Sequence, residues 1–299
     1  NRYPVNTYTL PIPVVKHTRS ETGHQRWQNT DYSYEDLRLH VAGRGMLGFN
    51  KVTRVNSSHN VKSSTEITRW DEKRWLPKEI KEVTETDGGS SSVVSYYYIA
   101  DVGNNYFAHV SNHEVVDMDG NRITTRSAFD IEKGVPTEEI VENDGDNMYR
   151  KVKYGGYTKK GGRWLPTIMT KTQKHRDDAS LYTNTTTYSY DDKGNTLSTT
   201  ENSGTELAMT TTATYNEHGN VLTTVSTGKG MNPITKHYEY DPTGRYVVKS
   251  YTTPQTSVYT FGYDDWGNLS WQSDDTDPNV RLLTSYSYDS WGELWLTRA

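Results

Sequence analysis

The chain has 299 residues, of which 32% are apolar, and its 23 tyrosines and 8 tryptophans far outnumber its 4 phenylalanines. Low apolar content combined with rings that carry polar groups favours a thin sheet with one wet face over a thick aliphatic core. The net charge of −5 with scattered basic residues argues against a nucleic-acid partner, the lack of cysteine excludes disulfides and thiol catalysis, and no apolar run is long enough to span a bilayer.

Residues 1–180 are predicted to form an irregular β-rich region. Its clearest strands are predicted at Val52–Val55, Ser92–Ile99 and Arg150–Tyr154, which are rich in β-branched or aromatic residues and bounded by turn formers. No segment keeps a hydrophobic period of 3.6 residues, so no long helix is predicted. Residues 135–140 fit either a single helical turn or a strand.

The tetrapeptide Arg-Trp-Leu-Pro occurs twice in this region, at residues 74–77 and at residues 163–166. Proline lacks the amide proton that the interior of a strand requires, so each copy predicts a proline at the start of a strand. The two copies together predict a second, longer internal repeat.

Three short motifs in this region suggest chemistry, and each has a structural explanation. His109 and His113 have the spacing of a helical zinc pair, but in a strand they lie about 13 Å apart, so they are predicted to be surface histidines. Residues 117–121 match part of a calcium loop that lacks its final glutamate, and a hairpin turn explains them as well. Residues 43–48 match the spacing of a dinucleotide loop without the helix that must follow it. No metal and no cofactor is predicted.

Residues 181–299 contain one pattern five times. In each copy a strand ends in tyrosine, an Asp or Asn follows, and a glycine stands three positions after that residue. The tyrosines are 25, 25, 23 and 25 residues apart, and a fixed period of this length indicates a repeat architecture. The pattern residues are Tyr190, Asp191, Gly194, Tyr215, Asn216, Gly219, Tyr240, Asp241, Gly244, Tyr263, Asp264, Gly267, Tyr288, Asp289 and Gly292.

Each copy predicts a β-hairpin. Tyr188 and Tyr190 stand two residues apart and therefore share one face of a strand. The Asp or Asn suits the first position of a type I turn, Pro242 fits the second, and the glycine can take the positive φ of a G1 bulge at the last. A lone hairpin cannot bury its aromatic face. Consecutive hairpins are therefore predicted to stack into an all-β, curved or spiralling sheet, either a partial shell or an open arc.

The acidic residues and tryptophans of the repeats are the remaining candidates for a site. The turn carboxylates share one kind of environment, whereas an acid–base pair needs two different ones, so we expect them to be structural and predict no catalytic residue. Trp266, Trp271 and Trp291 lie near turns, where they would either cap the edge of a neighbouring hairpin or bind a carbohydrate.

The pattern Tyr-x-Tyr-Asp-x-x-Gly-Asn-Leu resembles the Rhs or YD repeat, which occurs in bacterial Rhs polymorphic toxins, in the B and C subunits of insecticidal toxin complexes and in teneurins. Five copies carry the resemblance across residues 181–299. Upstream, residues 129–134 form a degenerate copy, and residues 43–49 are similar to a glycine-rich segment that precedes such repeats. The resemblance implies a sheet that winds into a hollow shell around a toxic polypeptide encoded at the C-terminal end.

By this resemblance we expect a non-enzymatic scaffold fragment of a secreted or bacterial cell-surface protein. Its partners would be the remainder of its own longer chain and an encapsulated toxin or effector. Residues 241–244 are similar to the self-cleavage element of Rhs cores, but two more repeats follow them, which indicates an ordinary turn. Two alternatives stay open, namely a cell-surface carbohydrate-binding or adhesion module with a glycan partner, and a hydrolase within residues 1–180.

Overall fold

The computed structural model describes residues 3–8, 11–21, 27–144, 148–174, 181–254 and 257–298. These residues form 24 β-strands joined by turns, and none of them lies in a helix, so the predicted all-β fold is confirmed. In this described part of the chain there is accordingly no helix long and apolar enough to cross a membrane.

The strands are β1 (Val5–Tyr8), β2 (His17–Glu21), β3 (Trp27–His40), β4 (Gly45–Asn56), β5 (Val61–Trp70), β6 (Pro77–Thr86), β7 (Gly89–Val102), β8 (Asn105–Val116), β9 (Arg122–Asp130), β10 (Val135–Asn143), β11 (Met148–Gly155), β12 (Thr158–Lys160), β13 (Arg163–Leu165), β14 (Ile168–Lys174), β15 (Leu181–Tyr190), β16 (Thr196–Glu201), β17 (Met209–Tyr215), β18 (Val221–Gly228), β19 (Ile234–Tyr240), β20 (Val247–Thr253), β21 (Val258–Tyr263), β22 (Leu269–Asp277), β23 (Val280–Tyr288) and β24 (Leu294–Arg298).

The chain divides into two compact units. The first contains Asn1–Lys153 and Lys171–Tyr182, and the second contains Tyr154–Thr170 and Thr183–Ala299. The boundary predicted at residue 180 marks where the regular repeats begin, whereas this division is based on compactness. The predicted boundary stays a prediction.

The first unit is a run of long antiparallel strands. β1 and β2 both pair with β3, and each strand from β3 to β10 pairs with the next one along the chain. The strands predicted at Val52–Val55 and Ser92–Ile99 lie within β4 and β7, and Arg150–Tyr154 lies within β11. Residues 135–140 belong to β10, so the strand, not the helical turn, is the correct alternative.

The second unit contains the five predicted hairpins. They are formed by β15 with β16, β17 with β18, β19 with β20, β21 with β22, and β23 with β24. Each hairpin also pairs with its successor through the facing outer strands. The described pairings run from one hairpin to the next without returning to an earlier strand, as expected for an open sheet of consecutive hairpins.

A β-bulge recurs at one place in all five hairpins. One extra residue on the second strand interrupts the register directly after the partner of the repeat tyrosine. The extra residues are Leu197, Leu222, Val248, Ser270 and Trp295. A bulge bends its strand and increases the local twist, so its repetition gives every hairpin the same curvature. This is the local origin of the predicted curved sheet.

The core is thin, and two expectations need correction. Among the described apolar side chains only Val5, Leu37 and Val152 are buried, and the repeat tyrosines are half-buried rather than buried. The half-buried rings therefore stabilise the sheet less than fully buried ones would, and backbone pairing and side-chain hydrogen bonds stabilise it alongside them. Pro77 begins β6 as predicted, but Pro166 follows the end of β13, so the prediction of a strand start is wrong for the second copy.

Candidate functional site: the hairpin turns of the repeats

The turns of the five repeats have the predicted geometry. The amide nitrogen of each repeat glycine lies 2.8–3.2 Å from the carbonyl oxygen of the Asp or Asn three positions earlier, as in a type I turn. The glycines have φ between +71° and +91°, a region that other L-residues rarely occupy. In the first turn the Asp191 amide also donates to the Asn195 carbonyl at 3.0 Å, which completes the predicted G1 bulge.

The acidic residue of each turn acts as a hydrogen-bond acceptor for its own turn. One carboxylate oxygen of Asp191 accepts from the Asn195 amide at 2.8 Å, and the other accepts from the Asn195 side chain at 2.8 Å. Burial alone would raise the pKa of Asp191, but these hydrogen bonds lower the pKa below its usual value. Asn216 accepts from the Asn220 amide in the same way, so an amide oxygen can replace the carboxylate.

The third turn departs from the pattern. Tyr240 pairs with Val247, so this turn is one residue longer than the others. Asp241 accepts from the Thr243 hydroxyl at 2.6 Å and from the Tyr246 amide at 2.9 Å, and these bonds hold its pKa at about 2. Residues 241–244 thus form a turn, as expected for an ordinary repeat.

A ladder of tyrosine hydroxyls joins each hairpin to the one before it, and the sequence alone did not indicate this. Each repeat tyrosine donates its hydroxyl hydrogen to a backbone carbonyl at the start of the preceding hairpin's second strand. The contacts are Tyr215 to Thr196 at 2.7 Å, Tyr240 to Val221 at 2.9 Å, Tyr263 to Val247 at 3.1 Å and Tyr288 to Leu269 at 3.0 Å. We call this set of contacts the tyrosine ladder.

The ladder begins one hairpin earlier than the predicted repeats. The hydroxyl of Tyr190 donates to the carbonyl of Pro166 at 2.8 Å, directly after the short hairpin of β12 and β13. Gly161 at the tip of that hairpin donates its amide to the Asp192 carbonyl at 3.0 Å. The second Arg-Trp-Leu-Pro copy was the signal for this additional hairpin, although it lacks the Tyr-Asp pair.

Two pairs of neighbouring turns also contact each other through the residue at the third turn position. The amine of Lys193 donates to the Glu217 carbonyl at 2.9 Å. The ring of His218 lies against Gly244, where an added Cβ would be 3.1 Å from the His218 Cδ2 atom. Trp266 and Trp291 occupy the corresponding position in the last two turns, and the surroundings of the last turn differ: nothing lies within 4 Å of the Cβ position of Gly292.

Two of the three predicted ligand-binding tryptophans line one cleft. Trp266 and Trp291 are 90% and 89% exposed, so neither caps the edge of a neighbouring hairpin. They flank a cleft of about 810 Å³, which we call the tryptophan cleft. Its other lining residues are Asp264, Asn268, Ser270, Tyr286, Tyr288, Asp289, Ser290 and Gly292.

The third tryptophan is elsewhere. Trp271 packs against Gly262, at a distance that leaves no room for a Cβ, and the Arg281 guanidinium lies 5.5 Å from its ring. Gly262 is the cross-strand partner of Trp271 in the same hairpin, so this contact lies within the hairpin and the predicted cap on a neighbouring hairpin stays a prediction. Binding of a carbohydrate by any of the three tryptophans stays a prediction.

The histidine pair of the first unit has no shared function. Both residues lie on strand β8, as predicted, and His109 is half-buried there. Its ring packs 4.3 Å from the Phe129 ring, and its buried Nδ1 atom has no hydrogen-bond partner in the described residues. Burial lowers the pKa of His109. His113 instead lies 3.0 Å from the Ser95 hydroxyl, its direct partner across the two strands.

The other motifs of the first unit are hairpin turns. Asp117 accepts from the Asn121 amide at 2.8 Å, and Gly120 donates to the Asp117 carbonyl at 3.1 Å, which is the turn of the repeats. In residues 129–134 the Gly134 amide reaches back four residues to the Asp130 carbonyl at 2.8 Å, so this degenerate copy closes a different turn. Residues 43–48 span the tip of the β3–β4 hairpin, where no helix follows. Within the described ranges, no three His, Asp or Glu side chains form a metal-binding group.

Comparison with known proteins gives structural neighbours of low similarity. No family model and no curated protein matches the chain. It is similar to the Tc holotoxin pore of Photorhabdus luminescens, with 12% identity and a TM-score of 0.43 over 93% of this chain and 15% of that one. It is similar to the TcdB2–TccC3–TEV protein, with 13% identity and a TM-score of 0.42 over 93% of this chain and 16% of that one.

A porin-like protein from Bacteroides uniformis is also similar, with 11% identity and a TM-score of 0.31 over 83% of this chain and 94% of that one. The chain spans about 15% of the length of the toxin proteins. Identities of 11–13% with TM-scores below 0.5 leave its family unassigned.

Proposed function

We propose that this chain is a non-enzymatic scaffold segment of a longer, exported protein, in which consecutive hairpins enclose or present an effector polypeptide of the same chain. The tyrosine ladder is the observation that supports a scaffold. From the second repeat hairpin onward, each hairpin is fixed to its predecessor both by strand pairing and by a hydroxyl-to-carbonyl bond at a constant place. Such an array grows by addition of identical contacts and forms an extended wall.

The hydrogen bonds that the acidic side chains accept also support this proposal. Carboxylates at the repeat turns accept hydrogen bonds from the backbone of their own turns, as in Asp191 and Asp264. A carboxylate that is engaged in this way, and whose pKa is lowered, is a poor general acid because it remains ionised. These groups therefore serve the architecture of the turns.

Protease protection in the full-length protein tests enclosure. The intact protein would be treated with a nonspecific protease, and the polypeptide encoded after this segment would be followed by mass spectrometry. We expect that polypeptide to survive in the native protein and to be digested once mild denaturant opens the hairpins. Digestion in the native protein at the rate found for the isolated polypeptide would contradict enclosure.

A separate assay addresses the hydrolase alternative in residues 1–180. Ser95 and His113 have the distance of a nucleophile and its base, although they are ordinary neighbours across β7 and β8. We expect no turnover of ester, peptide or glycoside substrates by the purified chain. Turnover that disappears in a Ser95→Ala variant would replace the scaffold proposal for the first unit.

A further inference from the structure

The tryptophan cleft is an unusual surface on this protein because its two indole rings are almost wholly exposed. Trp266 and Trp291 stand at the tips of two successive hairpins, and Tyr286 and Tyr288 form part of the surface between them. Exposed aromatic rings that converge on one cleft mark a binding site more often than scattered ones do.

Other tryptophans of this chain indicate which ligand chemistry the cleft suits, because several of them make a cation–π contact with an arginine or lysine of the protein itself. Arg19 lies 4.1 Å from the Trp27 ring centre, and Arg38 lies 5.5 Å from that of Trp70. The same contact occurs for Lys159 with Trp164 at 6.0 Å and for Arg281 with Trp271 at 5.5 Å. The negative face of an indole ring attracts a cation at these distances.

The tryptophan cleft has the rings without the cation. No described residue places a positive group over Trp266 or Trp291, and the residues that line the cleft include no lysine, arginine or histidine. They do include two carboxylates, those of Asp264 and Asp289. Aromatic faces beside two carboxylates and no cation attract a soft organic cation, whereas the charge of the two carboxylates exerts no net long-range attraction on a neutral sugar.

We propose that the tryptophan cleft binds a quaternary ammonium group, such as that of choline, between Trp266 and Trp291. The aromatic faces attract the diffuse positive charge, and the carboxylates of Asp264 and Asp289 supply the long-range field. The ligand could be free choline or a choline lipid head group, since both present the same trimethylammonium. This site is independent of the scaffold role proposed above.

Titration calorimetry of the purified chain with choline and with 3,3-dimethylbutan-1-ol tests the charge. The alcohol has the shape of choline with carbon in place of the charged nitrogen. We expect choline to bind and the alcohol to bind at least roughly fivefold more weakly, the difference that a cation makes at two exposed rings. Equal binding of both compounds, or binding of neither, would overturn the proposal.

Variants locate the site. Trp266→Ala and Trp291→Ala should each weaken choline binding by roughly fivefold or more, whereas Trp295→Ala, which removes a 66% exposed tryptophan that does not line the cleft, should not change it. Asp289→Asn should weaken binding while the turn persists, because Asn216 fills that position in the second repeat. Choline binding that persists in both cleft variants would place the site elsewhere.

Two further experiments distinguish free choline from a choline lipid head group, and choline from a carbohydrate ligand. Sedimentation with phosphatidylcholine vesicles, compared with phosphatidylglycerol vesicles, shows whether a lipid head group is reached, and binding of free choline alone assigns a soluble ligand. Neutral oligosaccharides that bind in a Trp266-dependent manner, with no binding of choline, would overturn the proposal in favour of the carbohydrate alternative.

Discussion

The tyrosine that ends the first strand of each repeat has a role that phenylalanine could not take over. Its ring lies half-buried against the sheet, and its hydroxyl reaches a carbonyl of the preceding hairpin. That carbonyl lies at the start of the strand that follows the turn. The excess of tyrosine over phenylalanine in the composition thus follows from a recurring hydrogen bond as well as from a damp surface.

Tyr240→Phe should therefore lower the free energy of unfolding by about 1 kcal/mol, the net value of one such hydrogen bond. Urea denaturation followed by circular dichroism measures the change. Tyr238→Phe is the matched control, because Tyr238 lies on the same strand and interacts through its ring with Lys236 at 5.1 Å. Equal losses in the two variants would show that the hydroxyl of Tyr240 contributes nothing specific.

His109 gives the first unit a dependence on pH. Its Nδ1 atom is buried without a partner in the described residues, and burial lowers its pKa, so the folded protein favours the neutral ring. The unfolded chain takes up a proton near a pH of about 6.5. The stability contributed by the neutral ring is therefore present above that pH and is lost as the pH falls below it.

We expect His109→Phe to reduce the loss of stability between neutral and mildly acidic pH, since Phe107 and Phe129 already surround the ring. Denaturation midpoints measured across that range report the slope. His113→Gln, which keeps a polar group near Ser95, is the control and should retain the wild-type slope. A slope that is the same in the His109 variant and the wild type would assign the pH dependence to other groups.

At the level of the hairpin, the sequence predicts the hydrogen bonds between residues that are close along the chain. It does not predict the hydrogen bonds between separate hairpins. The hydrogen bonds that close the first repeat turn lie within five residues, from Asp191 to Asn195, so the order of residue types is enough to predict them. The hydroxyl bond from Tyr215 to Thr196 joins residues of different hairpins and depends on their relative register. The β12–β13 hairpin is itself local, with Thr158 paired to Leu165, and it was missed because it lacks the Tyr-Asp pair of the repeats; its place in the ladder is visible only through Tyr190.

Gly219→Ala tests the turn as an element. Gly219 has a φ of +85°, and a left-handed backbone costs an L-residue about 1–2 kcal/mol, so the variant should lose roughly that free energy of unfolding. Gly219→Asn should lose less, because asparagine tolerates this conformation. Gly155→Ala is the control, since Gly155 lacks a positive φ and has no atom within 4 Å of its Cβ position. A larger loss at Gly155 than at Gly219 would contradict the assignment of the turn.

At the scale of the whole chain, most stabilising contacts join neighbouring strands. The sequence predicted the succession of hairpins because five copies of one pattern follow each other with a period of about 25 residues. It could not predict the tryptophan cleft, because Trp266 and Trp291 belong to separate copies and their common cleft depends on the spacing of two turns. Lys193 and His218 occupy the same turn position as the two tryptophans, but their side chains contact the next turn. The turn position alone therefore does not show whether its side chain contacts the next turn or lines an open cleft.

The tyrosine ladder should also make the second unit sensitive to alkali. Burial raises the pKa of Tyr190, Tyr215, Tyr240 and Tyr263, with nearby acidic groups adding to the effect for Tyr215 and Tyr263. In the unfolded chain these hydroxyls lose their protons near a pH of about 10, before the folded ones do. The folded state then binds more protons, so its stability is present below that pH and falls as the pH rises further.

We expect denaturation midpoints of the second unit to fall above a pH of about 10, together with a late, cooperative rise in tyrosinate absorbance as these four tyrosines ionise on unfolding. A variant that combines Tyr190→Phe and Tyr215→Phe should start less stable at neutral pH and lose less stability in alkali, because two of the responsible protons are gone. If all tyrosines ionise together while the strands remain intact by circular dichroism, the hydroxyls are free in the folded protein and the ladder does not hold the hairpins together.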